Sequence, residues 1–131
     1  SQERRLFYRL GLESRVYQVV LDEAALFGAY AGALALVFPS RAEGFGLPII
    51  EAQSMGCVPV LSNIPCFREI GGDGALFFAP GKADECSTAL QQLAENRMLK
   101  QRLIERARVG LNRFDWRISA QRHLALYESL L

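Results

Sequence analysis

The segment Leu34–Met55 constrains this chain more tightly than any other stretch. Leu34-Ala35-Leu36-Val37-Phe38 is a continuous apolar run closed by Pro39 and Ser40, the pattern of a strand buried on both faces of a parallel sheet. Pro48 suits the first turn of a helix, where its missing N–H would go unpaired in any case. Gly56 stops that helix, so the spacing predicts a helix over Pro48–Met55. Between strand and helix lies a loop containing Gly44 and Gly46. A loop that opens a helix presents free amides and the positive end of the helix dipole, a natural place for an anion. Glycine lets the main chain approach a ligand with no Cβ in the way.

Two carboxylates frame the loop. Glu43 precedes the first glycine, and Glu51 falls in the first turn or so of the helix. A carboxylate only accepts hydrogen bonds, so it suits a hydroxyl-rich ligand such as ribose or a sugar ring. Phosphate on the amides with hydroxyls on the carboxylates describes a sugar nucleotide. The plainer alternative is that an acid near a helix start answers the dipole and that Glu43 is an ordinary loop charge. Residue types and spacing leave both open.

The pair is written EGFGLPIIE, two glutamates separated by seven residues, with PS before it and a G-x-P-V strand after it. This resembles the retaining glycosyltransferases of GT-B fold, and most of all the large family-four (group 1) set that includes sucrose synthases and many mannosyl- and glucosyltransferases. The resemblance runs through most of the chain: AYAGALALVFPS, EGFGLPIIEAQSMGCVPVLSN, EIGGDGALFFAPG and the late FDW have counterparts there in that order. A lone glutamate pair is a weak motif; ordered blocks are a specific one. The fold implied is α/β, a Rossmann-like doubly wound parallel sheet belonging to the nucleotide-sugar-binding, C-terminal domain. Residues 1–81 would be the αβα sheet portion and 82–131 the C-terminal helices.

The resemblance also assigns roles. Glu43, the catalytic residue, would hydrogen-bond sugar hydroxyls, and Glu51 would bind the ribose hydroxyls. The amides of Gly44, Phe45, Gly46 and Leu47 would stabilise charge on the leaving diphosphate. Glu69, beside the loop near the diphosphate and sugar, is a second-rank site residue, with a solvated turn as its alternative. The donor would be a UDP-, GDP- or ADP-sugar, with no cofactor. No metal is expected, since such enzymes generally need none and the chain has no Asp-x-Asp.

Composition excludes other classes. The chain has 131 residues, half of them hydrophobic, enough for one domain with a real core. A formal net charge of +1 with interleaved signs gives no electrostatic reason to expect nucleic acid. No apolar run approaches a membrane span, and no signal peptide or basic amphipathic run is visible. Cys57, Cys66 and Cys86 lack C-x-x-C spacing and a histidine cluster, which reads as buried free thiols of a cytoplasmic protein rather than a metal site.

The rest of the pattern alternates. Gln2–Leu10 reads as a helix ended by Gly11 and Arg15–Leu21 as a strand, with Val16, Tyr17, Val19, Val20 and Leu21. Asp22 caps a helix over Glu23–Ala33. The resemblance places Val19 where the family often carries a glycine, which puts local contacts to the base in question. Cys57–Ser62 and Ala75–Phe78 are further strands, with a helical turn at Cys66–Ile70 and a tight Gly71–Gly74 loop between them. Helices follow over Ala83–Asn96, Arg97–Asn112 and Arg117–Leu131, the basic residues of the second being a solvated face. Phe114 and Trp116 are expected as packing anchors, and His123 has no catalytic role.

In the family the domain opens upstream with two further strands and a basic pair that grips the diphosphate, and an N-terminal domain binds the acceptor. None of these is in the chain, so it reads as part of a longer protein that does not turn over alone. The remaining strands are expected not to form one continuous sheet, and their edges to invite pairing with another copy or a partner. The rival reading is a non-catalytic nucleotide-sugar-binding or assembly module. An epimerase of related fold is a weaker third reading, and glycosidase chemistry fits poorly, because both carboxylates belong to one phosphate-type loop and helix.

Overall fold

Three short parallel strands carry the architecture in the computed structural model, which describes residues 2–130. They are β1 (Ala35–Phe38), β2 (Val58–Ser62) and β3 (Leu76–Phe78), side by side in sequence order. Helix α1 (Gln2–Arg9) and helix α2 (Glu23–Gly32) precede them; α3 (Leu47–Ser54) joins β1 to β2 and α4 (Pro65–Gly71) joins β2 to β3. Helices α5 (Ala83–Glu95), α6 (Arg97–Leu111) and α7 (Trp116–Ser129) follow the sheet, and single 3-10 turns occupy Gly72–Gly74 and Asn112–Phe114.

The register pairs Val37 with Val60 and Val60 with Leu76, and alternation sorts the side chains into two layers. On one face Val58, Val60 and Phe78 pack on Ala89 and Leu93 of α5 and Leu103 of α6. On the other, Leu61 and Phe38 pack on Ile49 of α3 and on Phe67 and Ile70 of α4. A smaller cluster of Tyr30, Ala52 and Cys57 docks α2 against α3 and the start of β2. Helices therefore cover both faces, and all five residues of β2 are buried. The central strand is apolar but for Ser62, as cover on both faces requires. By contrast β1, the apolar run expected to be buried on both faces, has no buried residue and leaves Val37 exposed, because it lies at the edge of the sheet among the described residues. Pro59 is tolerated in it because β3 joins only at Val60.

Local signals translate directly. Asp22 caps α2 by accepting from the Ala25 amide at 2.8 Å, and Gly11 ends α1 with a positive φ; Asn96, expected as the last residue of α5, instead caps α6 through the Leu99 amide at 2.9 Å. On α6, Leu103 and Ala107 face inward while Arg97, Arg102, Arg106 and Arg108 face solvent, as the four-residue spacing requires. The three cysteines are free thiols; Cys57 is buried, whereas Cys66 and Cys86 are only half-buried.

Several expectations are corrected. Arg15–Leu21 is not a strand. Val16, Tyr17, Val19, Val20 and Leu21 are all exposed, Val20 completely. In the doubly wound order the third strand pairs only with the second, and no described residue supplies that neighbour, so β propensity has nothing to bond to. The other strands do form one continuous sheet, against expectation, because the fourth to sixth positions of that order follow one another outward. Trp116 is no packing anchor: it is 84% exposed at the start of α7. No residue of α7 is buried, leaving Leu124, Leu126, Tyr127 and Leu130 exposed. Its start is fixed locally instead, by Asp115, which accepts from the Arg117 amide at 2.8 Å and pairs with the Arg117 guanidinium at 2.7 Å. Leu131, expected to end that helix, lies outside the described residues, as does Ser1.

Of the glycines, Gly74 leaves the least room for a side chain, where the Gly72–Gly74 turn meets α6. A methyl group at Gly74 would lie 2.6 Å from the Ala107 Cα, so Gly74→Ala must push the backbone of α6 away. Overpacking of this kind costs about 1–3 kcal/mol, and urea unfolding should register a loss of at least that size. Two buried polar groups should respond in opposite ways. Gln53 donates from Nε2 to the Gly71 carbonyl at 2.8 Å, so Gln53→Leu strands a buried acceptor and should cost about 1–3 kcal/mol. The buried Ser62 hydroxyl has no partner among the described residues, so Ser62→Ala should leave the same unfolding midpoint unchanged or raised.

Candidate functional site

The loop after β1, residues 39–46, leaves the carboxyl end of that strand and turns into α3 at Gly46. Gly46 stands at φ +103°, and a Cβ there would meet the Ile49 Cδ1 at 3.0 Å and a Phe67 ring carbon at 3.2 Å. Both conformation and space therefore demand glycine at this turn. Gly44 is different: a Cβ on it would meet open space. Helix α3 begins without a side-chain cap, with Pro48 in its first turn. The amides of Gly44, Phe45, Gly46 and Leu47 carry no hydrogen bond to another described residue. Uncapped amides at a helix start, outside the carboxyl end of a parallel strand, are an arrangement that suits an anion.

The two glutamates are held in different ways. Glu43 is exposed in the loop, where the Ser40 hydroxyl donates to its Oε1 at 2.6 Å. Glu51 is half-buried and lies in the second turn of α3, whose first turn carries no acid. Its position one turn deeper than expected removes the dipole as the explanation for its presence, since that effect fades beyond the first turn. Instead the Tyr30 hydroxyl of α2 approaches Glu51 Oε2 at 3.4 Å. Burial, and then the charge of Glu51, push the Tyr30 phenol above its ordinary range, so it is a protonated donor at neutral pH. Tyr30 escaped the sequence reading because the pair is far apart in the chain; its only signal is its place in the apolar cluster against Ala52.

The loop is propped from behind. Cys66 Sγ donates to the Phe45 carbonyl at 2.9 Å, tying α4 to the loop. The Phe45 ring meets Phe114 edge-on at 6.1 Å, and Phe114 lies under the Arg113 guanidinium at 4.6 Å. Arg113 donates in turn to the carbonyls of Glu69 and Ile70 at the end of α4, where a cation complements the helix dipole. Phe114 is thus the anchor the sequence suggested. Glu69 is exposed, and its carbonyl is what makes this bond. At the same carboxyl end of the sheet, Arg68 donates to Asn63 Oδ1 at 2.6 Å and covers the Phe77 ring at 4.1 Å, a cation that the motif reading passed over. Among the described residues, the hydrogen-bond partner of His123 is the Ser119 carbonyl on its own helix, at 2.8 Å.

Among the described residues no three His, Cys, Asp or Glu side chains gather as metal ligands would, and no helix is long and apolar enough to cross a membrane. A groove of about 560 Å³ lies between the Gly72–Gly74 turn and α6, lined by Gln53, Asp73, Arg102, Arg106 and Arg113 among others. None of residues 39–51 lines it. The glutamate loop instead sits on open surface, with Phe45 45% and Leu47 56% exposed.

Comparison with known proteins gives this arrangement its relatives. The O-antigen chain mannosyltransferase B of Escherichia coli is 33% identical over 101 residues, 77% of this chain and 26% of that one. The GDP-mannose:cellobiosyl-diphosphopolyprenol alpha-mannosyltransferase of Komagataeibacter xylinus is 33% identical over 121 residues, 86% of this chain and 27% of that one. The chain thus spans about a quarter of the length of these relatives. Among solved structures, the sucrose-phosphate synthase of Thermosynechococcus elongatus superposes with a TM-score of 0.88 at 26% identity, over 98% of this chain and 33% of that one. The architecture is the Rossmann-like one expected for part of a GT-B glycosyltransferase. Residues 4–110 match the model of the group 1 glycosyl transferases, and with the paired-glutamate loop at the carboxyl end of the sheet, the chain belongs to that family.

Proposed function

We propose that this chain forms the donor side of a retaining, metal-independent hexosyltransferase that takes its sugar from a nucleoside diphosphate. The observation that carries the reading is the placement of Glu43 and Glu51 on either side of the uncapped start of α3. The amides of Gly44 to Leu47 and the helix dipole would receive the diphosphate and stabilise its charge as the glycosidic bond breaks. Glu51 would accept from the ribose hydroxyls and Glu43 from the sugar hydroxyls, with Glu69 near the transferred sugar. The names of the mannosyltransferase relatives favour GDP-mannose as the donor. The acceptor would be a hydroxyl compound bound outside this quarter-length portion, with the reaction in the cleft between the two, and the portion by itself would bind donor without turning it over. Its free thiols suit a reducing compartment, and we place it in the cytoplasm.

A calorimetric titration with GDP, UDP, ADP and their sugar conjugates tests this. Saturable binding of GDP and GDP-mannose is expected, with Glu51→Ala weakening it about tenfold, the scale of one hydrogen-bond set to a charged group. Tight binding of UDP or ADP instead would reassign the base, and no binding by a cooperatively folded chain would overturn the donor site in this chain.

One observation favours a second reading, that of an assembly surface. The outer edge of β1 has no partner strand among the described residues, Val37 on it is 41% exposed, and the apolar side chains of residues 16–21 are exposed beside α2. An unpaired apolar edge recruits another chain. Sedimentation should then show association that grows with concentration and disappears in Val37→Lys; a monomer at every concentration would dismiss it.

A further inference from the structure

Glu51 is the one carboxylate of the site held by an element outside its own loop and helix. The Tyr30 hydroxyl reaches its Oε2 from α2, and the Tyr30 ring is fixed by burial at 9% exposure, by contact with Ala52 and Cys57, and by an edge-on contact with Phe27 at 6.4 Å. The ring cannot swing away without breaking that cluster. A carboxylate offers about four lone-pair sites, so one phenol proton leaves Oε1 and part of Oε2 for a ligand. At 3.4 Å the bond is long for a phenol and a carboxylate, as such bonds often are before a ligand draws the groups together.

We propose that Tyr30 is a positioning residue for Glu51: its hydroxyl fixes the carboxylate so that the remaining lone pairs face a vicinal diol, and it thereby sets the preference of the site for a ribonucleotide over a deoxygenated one. The proposal rests on the donor-binding reading of Glu51. A site built to accept from hydroxyls discriminates against the analogue lacking them through the acceptors it leaves unpaired, and that discrimination is sharpest when the acceptor cannot turn away. Tyr30 touches no ligand; it acts through Glu51. The groups that face its hydroxyl and carry or could carry charge are Glu51 on α3 and Cys57 before β2, and burial pushes the Cys57 thiol up, so Glu51 supplies the charge at neutral pH.

The test measures the affinity of the chain for GDP and for 2′,3′-dideoxy-GDP in wild type, Tyr30→Phe and Glu51→Gln, with thermal melts of each. Tyr30→Phe should narrow the GDP preference about twofold to tenfold, the range of a single hydrogen bond, while leaving the dideoxy affinity and the melting temperature in place. Glu51→Gln should narrow it at least as far. If Glu51→Gln narrows the preference and Tyr30→Phe does not, the role of Tyr30 is refuted and the donor site stands. If Tyr30→Phe weakens both nucleotides equally, its role is structural and the proposal fails. A preference untouched by Glu51→Gln, or no binding by wild type, refutes the ribose role itself. A ligand-free readout separates the two ideas: the ultraviolet titration of Tyr30, taken as the difference between wild type and Tyr30→Phe, should move to lower pH in Glu51→Gln. An unmoved titration would deny the contact whatever the nucleotides do.

Discussion

The burial of β2 between two parallel neighbours is the constraint on which the structure depends. A parallel strand has backbone donors and acceptors on both edges, and in the interior each must find a strand beside it. β1 and β3 supply them for β2, and helices close both faces. Because connections between parallel strands must cross over a face, the chain has to leave each strand at its carboxyl end, and every loop at that end faces the same way. The glutamate loop, the Asn63 turn and Arg68 share one rim for this topological reason. The function proposed for the rim uses a direction that the sheet imposes.

Where a signal was local, the sequence was sufficient. Asp22 caps α2 through the Ala25 amide and Gly11 ends α1 at a positive φ, both as the sequence indicates, whereas the Asn96 cap and the backbone angle that demands glycine at 46 escaped the sequence reading. Where a signal needed a partner, the sequence misled. Val16 to Leu21 have strand propensity, yet a strand exists only as a pair, and the described residues offer none. Trp116 has the size of an anchor but stands exposed at the start of α7, a helix with no buried residue. The contact between Tyr30 and Glu51 was invisible for a related reason: it depends on how α2 docks on α3, which no motif encodes. The family match ends at residue 110, so the Phe114 prop also lay beyond the matched region, although the aromatic block hinted at it.

Under the donor-site proposal, the contrast between the two glutamates bears on how the work would be divided between them. Glu51 is half-buried on a helix and reached by a rigid phenol, so little freedom is left to lose when a ligand arrives, which favours its use in recognition. Glu43 is exposed on a loop whose one hold on it, among the described residues, is the hydroxyl of Ser40, three residues before it. A serine hydroxyl rotates freely, and exchanging it for a sugar hydroxyl returns one hydrogen bond for another. A group required to act on the transferred sugar while the leaving phosphate departs benefits from such adaptability, whereas a ribose clamp does not.

The openness of the loop follows from the same logic. Phe45 and Leu47 are exposed, an arrangement that would waste apolar surface in a closed pocket but suits one wall of a cleft. Electrostatic stabilisation of a departing diphosphate is strong only when water is excluded, and amides on an open surface compete with water for the phosphate. The Phe45–Phe114–Arg113 stack keeps the loop in place while it waits, because each member is held by the next and the last is fixed to the carbonyls ending α4. A preformed wall of this kind leaves the exclusion of water to whatever surface closes over it. Under the proposed function, the donor would bind before closure and react only after it, separating recognition from chemistry in the order a transferase needs if its activated sugar is not to be lost to water.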